Sequence, residues 1–167
     1  FSNNSNISDS ICNYNYRGFY VTTSNDNILI NNTANSNNDT GFRFSSSIND
    51  TFINNTANLN TNGIYLESNG YNFLLNNTAS SNSDYGIYFH SSNCYNNIAG
   101  NNASNNTNGI YLSSSCNNND IGYNDLTSNT NGIYIFSSTN NNIDNNTASS
   151  NSFGIYLSSS GGNNVTN

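Results

Sequence analysis

The side chains able to do acid–base, metal or nucleophilic chemistry are few enough to name. There is one histidine, His90, and there are three cysteines, Cys12, Cys94 and Cys116. There are two arginines, Arg17 and Arg43, and nine acids: Asp9, Asp26, Asp39, Asp50, Glu67, Asp84, Asp120, Asp125 and Asp144. Lysine is absent. Polysaccharide cleavage needs carboxylates clustered together, with a basic partner to stabilise charge. On the repeat described below the acids scatter over different positions, so the chain is not expected to be an enzyme. His90, Cys94 and Cys116 follow equivalent strands in consecutive repeats, and a soft copper site could be drawn from them. With one histidine, no methionine and no short ligand spacing, no metal site is expected. His90 is expected instead to pair with Glu67 of the preceding repeat. A calcium ion shared by Asp26 and Asp50 at a turn is a further alternative. No cofactor is expected.

Three further sets of residues carry possible chemistry. Cys94 and Cys116 lie in consecutive repeats, offset by one position, within reach of a disulfide; Cys12 is expected to be a buried free thiol. Asn-x-Ser/Thr acceptor sequences occur at Asn3, Asn6, Asn31, Asn38, Asn49, Asn54, Asn76, Asn102, Asn105, Asn145 and Asn164. Chance alone produces many of these in such a chain, but Asn31, Asn38, Asn49, Asn54, Asn76, Asn102, Asn105 and Asn145 fall on turns or outer faces where glycans would shield the surface. Finally Tyr20, Tyr65, Tyr88, Tyr111, Tyr134 and Tyr156 form an outward stripe in which Arg43 replaces one member. Arg43 is expected between Tyr20 and Tyr65 as a cation–π pair. The stripe either stabilises its own sheet or offers a contact for sugar or another subunit.

These residues are placed by a repeat. Seven segments read Gly, apolar, variable, apolar, beginning at Gly18, Gly41, Gly63, Gly86, Gly109, Gly132 and Gly154, with spacings of 23, 22, 23, 23, 23 and 22. An apolar column with the same period runs Ile7, Leu29, Phe52, Leu74, Ile98, Ile121, Ile143 and Val165. A column of mostly small residues follows it: Cys12, Ala34, Ala57, Ala79, Ala103, Leu126 and Ala148. Two polar columns keep step, one through Ser10, Asn32, Asn55, Asn77, Asn101, Asn124 and Asn146, the other through Ser24, Ser47, Asn69, Ser92, Ser115, Ser138 and Ser160. Short alternating strands with polar turns at this period predict coils stacked about 4.8 Å apart, a rod of roughly 34 Å over seven coils. Strand alternation turns the first and third residues after each glycine inward and the second outward. Inward asparagines are expected to bond the backbone of their own coil and the next asparagine along the stack. The glycines are expected where φ is positive or the backbone approaches closely.

Composition sets the outer bounds. Asparagine supplies 46 of 167 residues and serine 28, which suggests a low-complexity tail, but aromatics are 13% and charged residues only 7%, the reverse of a disordered chain. A net charge of −7 argues against nucleic acid and anionic membrane surfaces. No apolar run reaches the roughly 20 residues of a membrane span. The start at Phe1 reads as a mature or excised piece. An outward threonine array for ice would need an unbroken column, and Asn102 and Asp125 interrupt Thr33, Thr56, Thr78 and Thr147.

The pattern I-x-x-N-x-A…G-I-x-L-x-x-S resembles the parallel β-helix repeat of NosD-type periplasmic copper-binding proteins, carbohydrate-binding β-helix domains and archaeal surface proteins. The resemblance implies an all-β fold, a single-stranded right-handed parallel β-helix of about seven coils of 22–24 residues. It covers residues 1–167 as one domain, read as uncapped at both ends. The expected function is structural: part of an extracellular or cell-surface filament, sheath or adhesin stalk, stacking head-to-tail on itself. The alternative is a carbohydrate-binding surface module, and a polysaccharide-active enzyme comes third. Expected partners are copies of the chain, with surface carbohydrate as the alternative, and neither nucleic acid nor membrane insertion.

Overall fold

A computed structural model describes residues 3–166, which form short strands, isolated bridges, bends and connecting segments, with no helix among them. The chain winds as a β-solenoid in which each coil contributes one short and one long strand. The short strands are β1 (Asn6–Ser8), β3 (Ile28–Ile30), β5 (Thr51–Ile53), β7 (Phe73–Leu75), β9 (Asn97–Ala99), β11 (Asp120–Gly122), β13 (Asn142–Asp144) and β15 (Asn164–Thr166). The long ones are β2 (Arg17–Thr22), β4 (Thr40–Ser45), β6 (Asn62–Glu67), β8 (Tyr85–His90), β10 (Asn108–Ser113), β12 (Asn131–Phe136) and β14 (Phe153–Ser158). They stack into an eight-stranded and a seven-stranded sheet, each in sequence order. All pairings are parallel, and counterparts align: Ile110 with Ile133, Tyr111 with Tyr134, Leu112 with Ile135.

The register follows from burial. Phe42, Ile64, Ile87, Ile110 and Ile133 from one long-strand position, and Phe44, Leu66, Phe89, Leu112 and Ile135 from another, are fully buried. They meet Leu29, Phe52, Leu74, Ile98, Ile121 and Ile143 from the short strands and the alanine column from the turn. Fully burying each of these larger side chains stabilises the stack by about 1.5–3 kcal/mol. A one-residue slip would turn every one of them to solvent. In the first coils phenylalanines interlock: Phe19 stacks on Phe42 at 4.8 Å and Phe44 meets Phe52 edge-on at 4.7 Å.

Each coil turns at four corners, and each corner is a left-handed residue. In one coil these are Asn54, Leu59, Ser68 and Tyr71, with φ of 55°, 59°, 54° and 58°. This conformation costs most residues about 1–2 kcal/mol, and asparagine least, which accounts for part of the asparagine content. The glycines that lead the long strands serve a different purpose. A Cβ on Gly109 would lie 2.6 Å from the Gly132 carbonyl oxygen and 2.9 Å from Asn129 Nδ2, so close approach, not positive φ, excludes a side chain there.

The interior polar columns are more numerous than the sequence suggests. Asn32, Asn55, Asn77, Asn101, Asn124 and Asn146 form the expected ladder along the stack, but the core carbonyl that each side chain holds belongs to the preceding coil and not, as expected, to its own. Asn55 shows the pattern: its backbone N–H and Nδ2 donate to Asn77 Oδ1 at 2.9 and 3.0 Å, and Nδ2 also donates to the Leu29 carbonyl at 2.9 Å. Two further ladders run through Asn37, Asn60, Asn82, Asn106, Asn129 and Asn151, and through Asn27, Asp50, Asn72, Asn96, Asn119, Asn141 and Asn163. The serine column departs from its expected members. Ser91 and Ser92 are both left-handed, as are Ser114 and Ser115, so the extra residue of these coils is absorbed at the corner. The inward positions therefore pass to Asn93 and Cys116, and Cys116 N–H donates to Ser138 Oγ at 3.0 Å.

That shift removes the disulfide drawn between Cys94 and Cys116: both are free thiols. Cys116 faces the core, its thiol donating to the Ser113 and Phe89 carbonyls. Cys94 lies between two corners, Ser92 and Tyr95, paired in register with Gly70. Cys12 is half-buried instead of buried, because it lies in the end coil, which has a neighbour on one side only.

Candidate functional site

The outward face of the seven-stranded sheet collects the polar and aromatic groups that could act on a ligand. Every long strand presents there its second residue after the glycine. Tyr65, Tyr88, Tyr111, Tyr134 and Tyr156 stack ring on ring at 4.6, 5.0, 4.7 and 4.7 Å, nearly parallel beyond the first pair. Tyr85, from the residue before the glycine, packs against Tyr88 at 4.5 Å and Tyr111 at 5.3 Å. Rings stacked this way occupy each other's faces and turn their edges and hydroxyls outward. Burial raises the phenol pKa of Tyr65, Tyr85 and Tyr111 and pushes Tyr88 up to about 12 despite an opposing hydrogen bond from Ser113. These phenols stay protonated near neutral pH and can donate hydrogen bonds.

Arg43 lies over the Tyr65 ring at 3.9 Å. The expected sandwich has only this half, because Tyr20 is taken by Arg17 at 5.0 Å. Arg43 Nη2 donates to Glu67 Oε2 at 2.7 Å, and Ser45 Oγ reaches the same oxygen at 3.3 Å. Arg17 Nε is likewise bound to Asp39 Oδ2 at 2.6 Å. Glu67 and His90 are register neighbours, as the sequence predicts. Their expected pairing is replaced: His90 Nδ1 lies 3.1 Å from Tyr88 Oη and 3.0 Å from Ser113 Oγ, and those two oxygens are 3.2 Å apart. Ser113 was missed in the sequence, although the period alone places it one coil beyond His90.

The other candidate sites fare differently. Asp26 and Asp50 do not face a common ion: Asp50 is buried in a ladder, where Oδ1 accepts from Asn27, whereas Asp26 accepts from Asn49 Nδ2 at the surface. Of the glycosylation candidates, Asn31, Asn49, Asn54, Asn76, Asn105 and Asn145 are exposed left-handed corner residues and Asn38 is exposed. Asn102 is half-buried, with Oδ1 accepting from Ser104.

The sequence matches the family described as "Periplasmic copper-binding protein (NosD)" over residues 1–131 and 85–167, which together span it. The chain belongs to the NosD family. No curated protein sequence matches it. Among solved structures it is similar to the A-module of mannuronan C-5 epimerase AlgE6 from Azotobacter vinelandii, with a TM-score of 0.84 and 14% identity, covering 98% of this chain and 53% of that one. The AlgE4 A-module of the same organism gives 0.82 and 17%, covering 98% and 54%. The periplasmic alginate epimerase AlgG gives 0.77 and 24%, covering 81% and 34%. This chain thus spans about half or a third of the length of these structures.

These neighbours correct one expectation. The scattered acids and the absence of lysine predict a non-enzyme. The architecture it shares with these structures is one that enzymes use, so that scatter does not argue against catalysis. The family description speaks of copper. No group of three or more His, Cys, Asp or Glu side chains converges among the described residues. Cys116, the nearest thiol to Cys94, points inward with its pKa pushed up to about 12 by burial, and His90 Nδ1 is engaged by two hydroxyls. The described residues do not fit a copper centre.

Proposed function

We propose that this NosD-family chain is the β-helix of an extracytoplasmic protein that binds a polysaccharide along the tyrosine face and acts on it at Tyr88, His90 and Ser113. The observation that carries the reading is the meeting of an imidazole and two hydroxyls within 3.0–3.2 Å, in the middle of a continuous row of tyrosines. An imidazole held in place between hydroxyls can take a proton from a bound sugar and return it. The row supplies edges and hydroxyls at regular spacing along the rod, suited to the repeating hydroxyls of an extended glycan. The names of the structural neighbours, which speak of mannuronan and alginate, support a polysaccharide in this place. An extracytoplasmic location is supported by the periplasmic description of the family and of AlgG.

The test is a glycan array followed by NMR of the bound polymers for chemical change. Tyr111→Ala and Tyr134→Ala should abolish retention. His90→Gln should abolish turnover and leave retention largely in place. Failure of every neutral and acidic glycan to bind would overturn the proposal.

A mechanical role, as a filament, sheath or stalk segment, is the second reading. It is favoured by the uniform parallel register, in which every coil pairs with the next in the same way along the described stack. Electron micrographs showing only isolated short rods would argue against self-stacking.

A further inference from the structure

The charge on the tyrosine face points to a narrower ligand class than the structural neighbours suggest. This deepens the glycan-binding reading and rests on it. A polyuronate carries a carboxylate on each sugar, and a protein surface that grips such a polymer must offer cations free to meet them. The chain has two, Arg17 and Arg43, and no lysine. Both stand on this face and both are already engaged: Arg17 with Asp39 at 2.6 Å, and Arg43 with Glu67 at 2.7 Å while lying over Tyr65. Asp84, beside Tyr85, adds a further carboxylate. Three acids thus stand against two guanidiniums along the row, within a chain whose net charge is −7. The phenols are held protonated by burial and carry no compensating charge.

What remains is rich in neutral hydrogen-bonding groups. The phenol hydroxyls run beside an amide pair, in which Asn131 Nδ2 donates to Asn108 Oδ1 at 2.7 Å, and beside Ser113. Such groups match sugar hydroxyls and give no advantage to a carboxylate. We infer that the ligand of this face is a neutral polysaccharide and that polyuronates such as alginate are excluded by the pairing of Arg43 with Glu67.

Affinity electrophoresis at low salt, through gels containing a neutral β-glucan, mannan or xylan and in parallel alginate or polygalacturonate, tests the inference. A chelator throughout removes calcium bridges between carboxylates. The expected result is retardation by at least one neutral polymer and none by the polyuronates. Glu67→Gln removes the partner of Arg43 and should create retardation by alginate that disappears on adding salt. Alginate retarding the unaltered protein would overturn the inference and leave the glycan-binding reading standing. A Glu67→Gln protein that keeps its folded circular dichroism but gains no alginate retardation would overturn the assigned role of the ion pair. Absence of retardation in every gel would overturn both readings.

Discussion

Glu67 and His90 occupy equivalent positions in adjacent coils, yet each turns to a different partner. Glu67 reaches back to Arg43 and His90 reaches forward to Ser113, so one column of the sheet holds an ion pair and a hydroxyl–imidazole cluster end to end. The division follows from what lies on either side: a guanidinium one coil before, a serine one coil after.

Removing one member of the cluster should affect chemistry more than stability. Tyr88→Phe deletes hydrogen bonds at a half-buried site, each worth about 0.5–1.5 kcal/mol net, and keeps the ring stack. Urea unfolding should therefore shift slightly. Turnover of a bound glycan should fall steeply in this variant and in Ser113→Ala, and equal loss of stability and activity in both would count against the assignment.

Asp50 should make stability depend on pH. It occupies a ladder whose other members are asparagines, and Asp50 Oδ2, standing where they carry a donating Nδ2, has no hydrogen-bond partner. Burial, with a smaller push from Asp26, raises its pKa from 3.8 to about 6. The folded state therefore binds this proton more tightly than the unfolded chain. The stabilising effect of the proton is full below about pH 4 and is lost as pH rises through about 6. Asp50→Asn should thus stabilise by up to about 3 kcal/mol above pH 6, and by little below pH 4. Thermal melts of the two proteins at pH 7.5 and 3.5 check both the size and the sign.

Gly109→Ala should destabilise, because a Cβ there meets backbone or amide atoms at 2.6, 2.9 and 3.0 Å. Overpacking of this kind costs about 1–3 kcal/mol. Gly161, with nothing within 4 Å of its added Cβ, provides the control, and Gly161→Ala should be nearly silent in the same urea titration.

The thiols should separate by reactivity. Cys94 is half-exposed, and Cys116 is buried with its pKa pushed up to about 12. Alkylation of the native protein should modify Cys94 and spare Cys116 until denaturant is added. A protein that resists alkylation at both until a reductant is supplied would restore the disulfide that the geometry removes.

The coil period, the parallel strands and the core columns were legible because a 22–23-residue repeat of apolar residues admits few other arrangements, and each glycine-led segment repeats the same inward pair. The sequence was less informative where one residue is inserted. Ser92 and Ser115 look like column members by counting, but two consecutive left-handed serines at each corner hand the inward position to Asn93 and Cys116. Two of the three asparagine ladders were hidden for another reason: in a chain with 46 asparagines, composition masks which ones recur with the period. The tyrosine row was visible as a pattern. The partner of His90 was not, because register brings Glu67 and Ser113 equally near and the competing Arg43 decides between them.

The left-handed corners turn the backbone hydrogen bonds at the corners toward the neighbouring coil, as Ser68 N–H does to the His90 carbonyl and Tyr71 N–H to the Cys94 carbonyl. A finished coil therefore exposes a complete template of donors and acceptors for the next. Growth of the structure is then a zipper running along the rod, and the cooperative unit is the pair of adjacent turns. A deletion of one whole period would shorten the molecule by a single rung and leave every remaining joint unchanged.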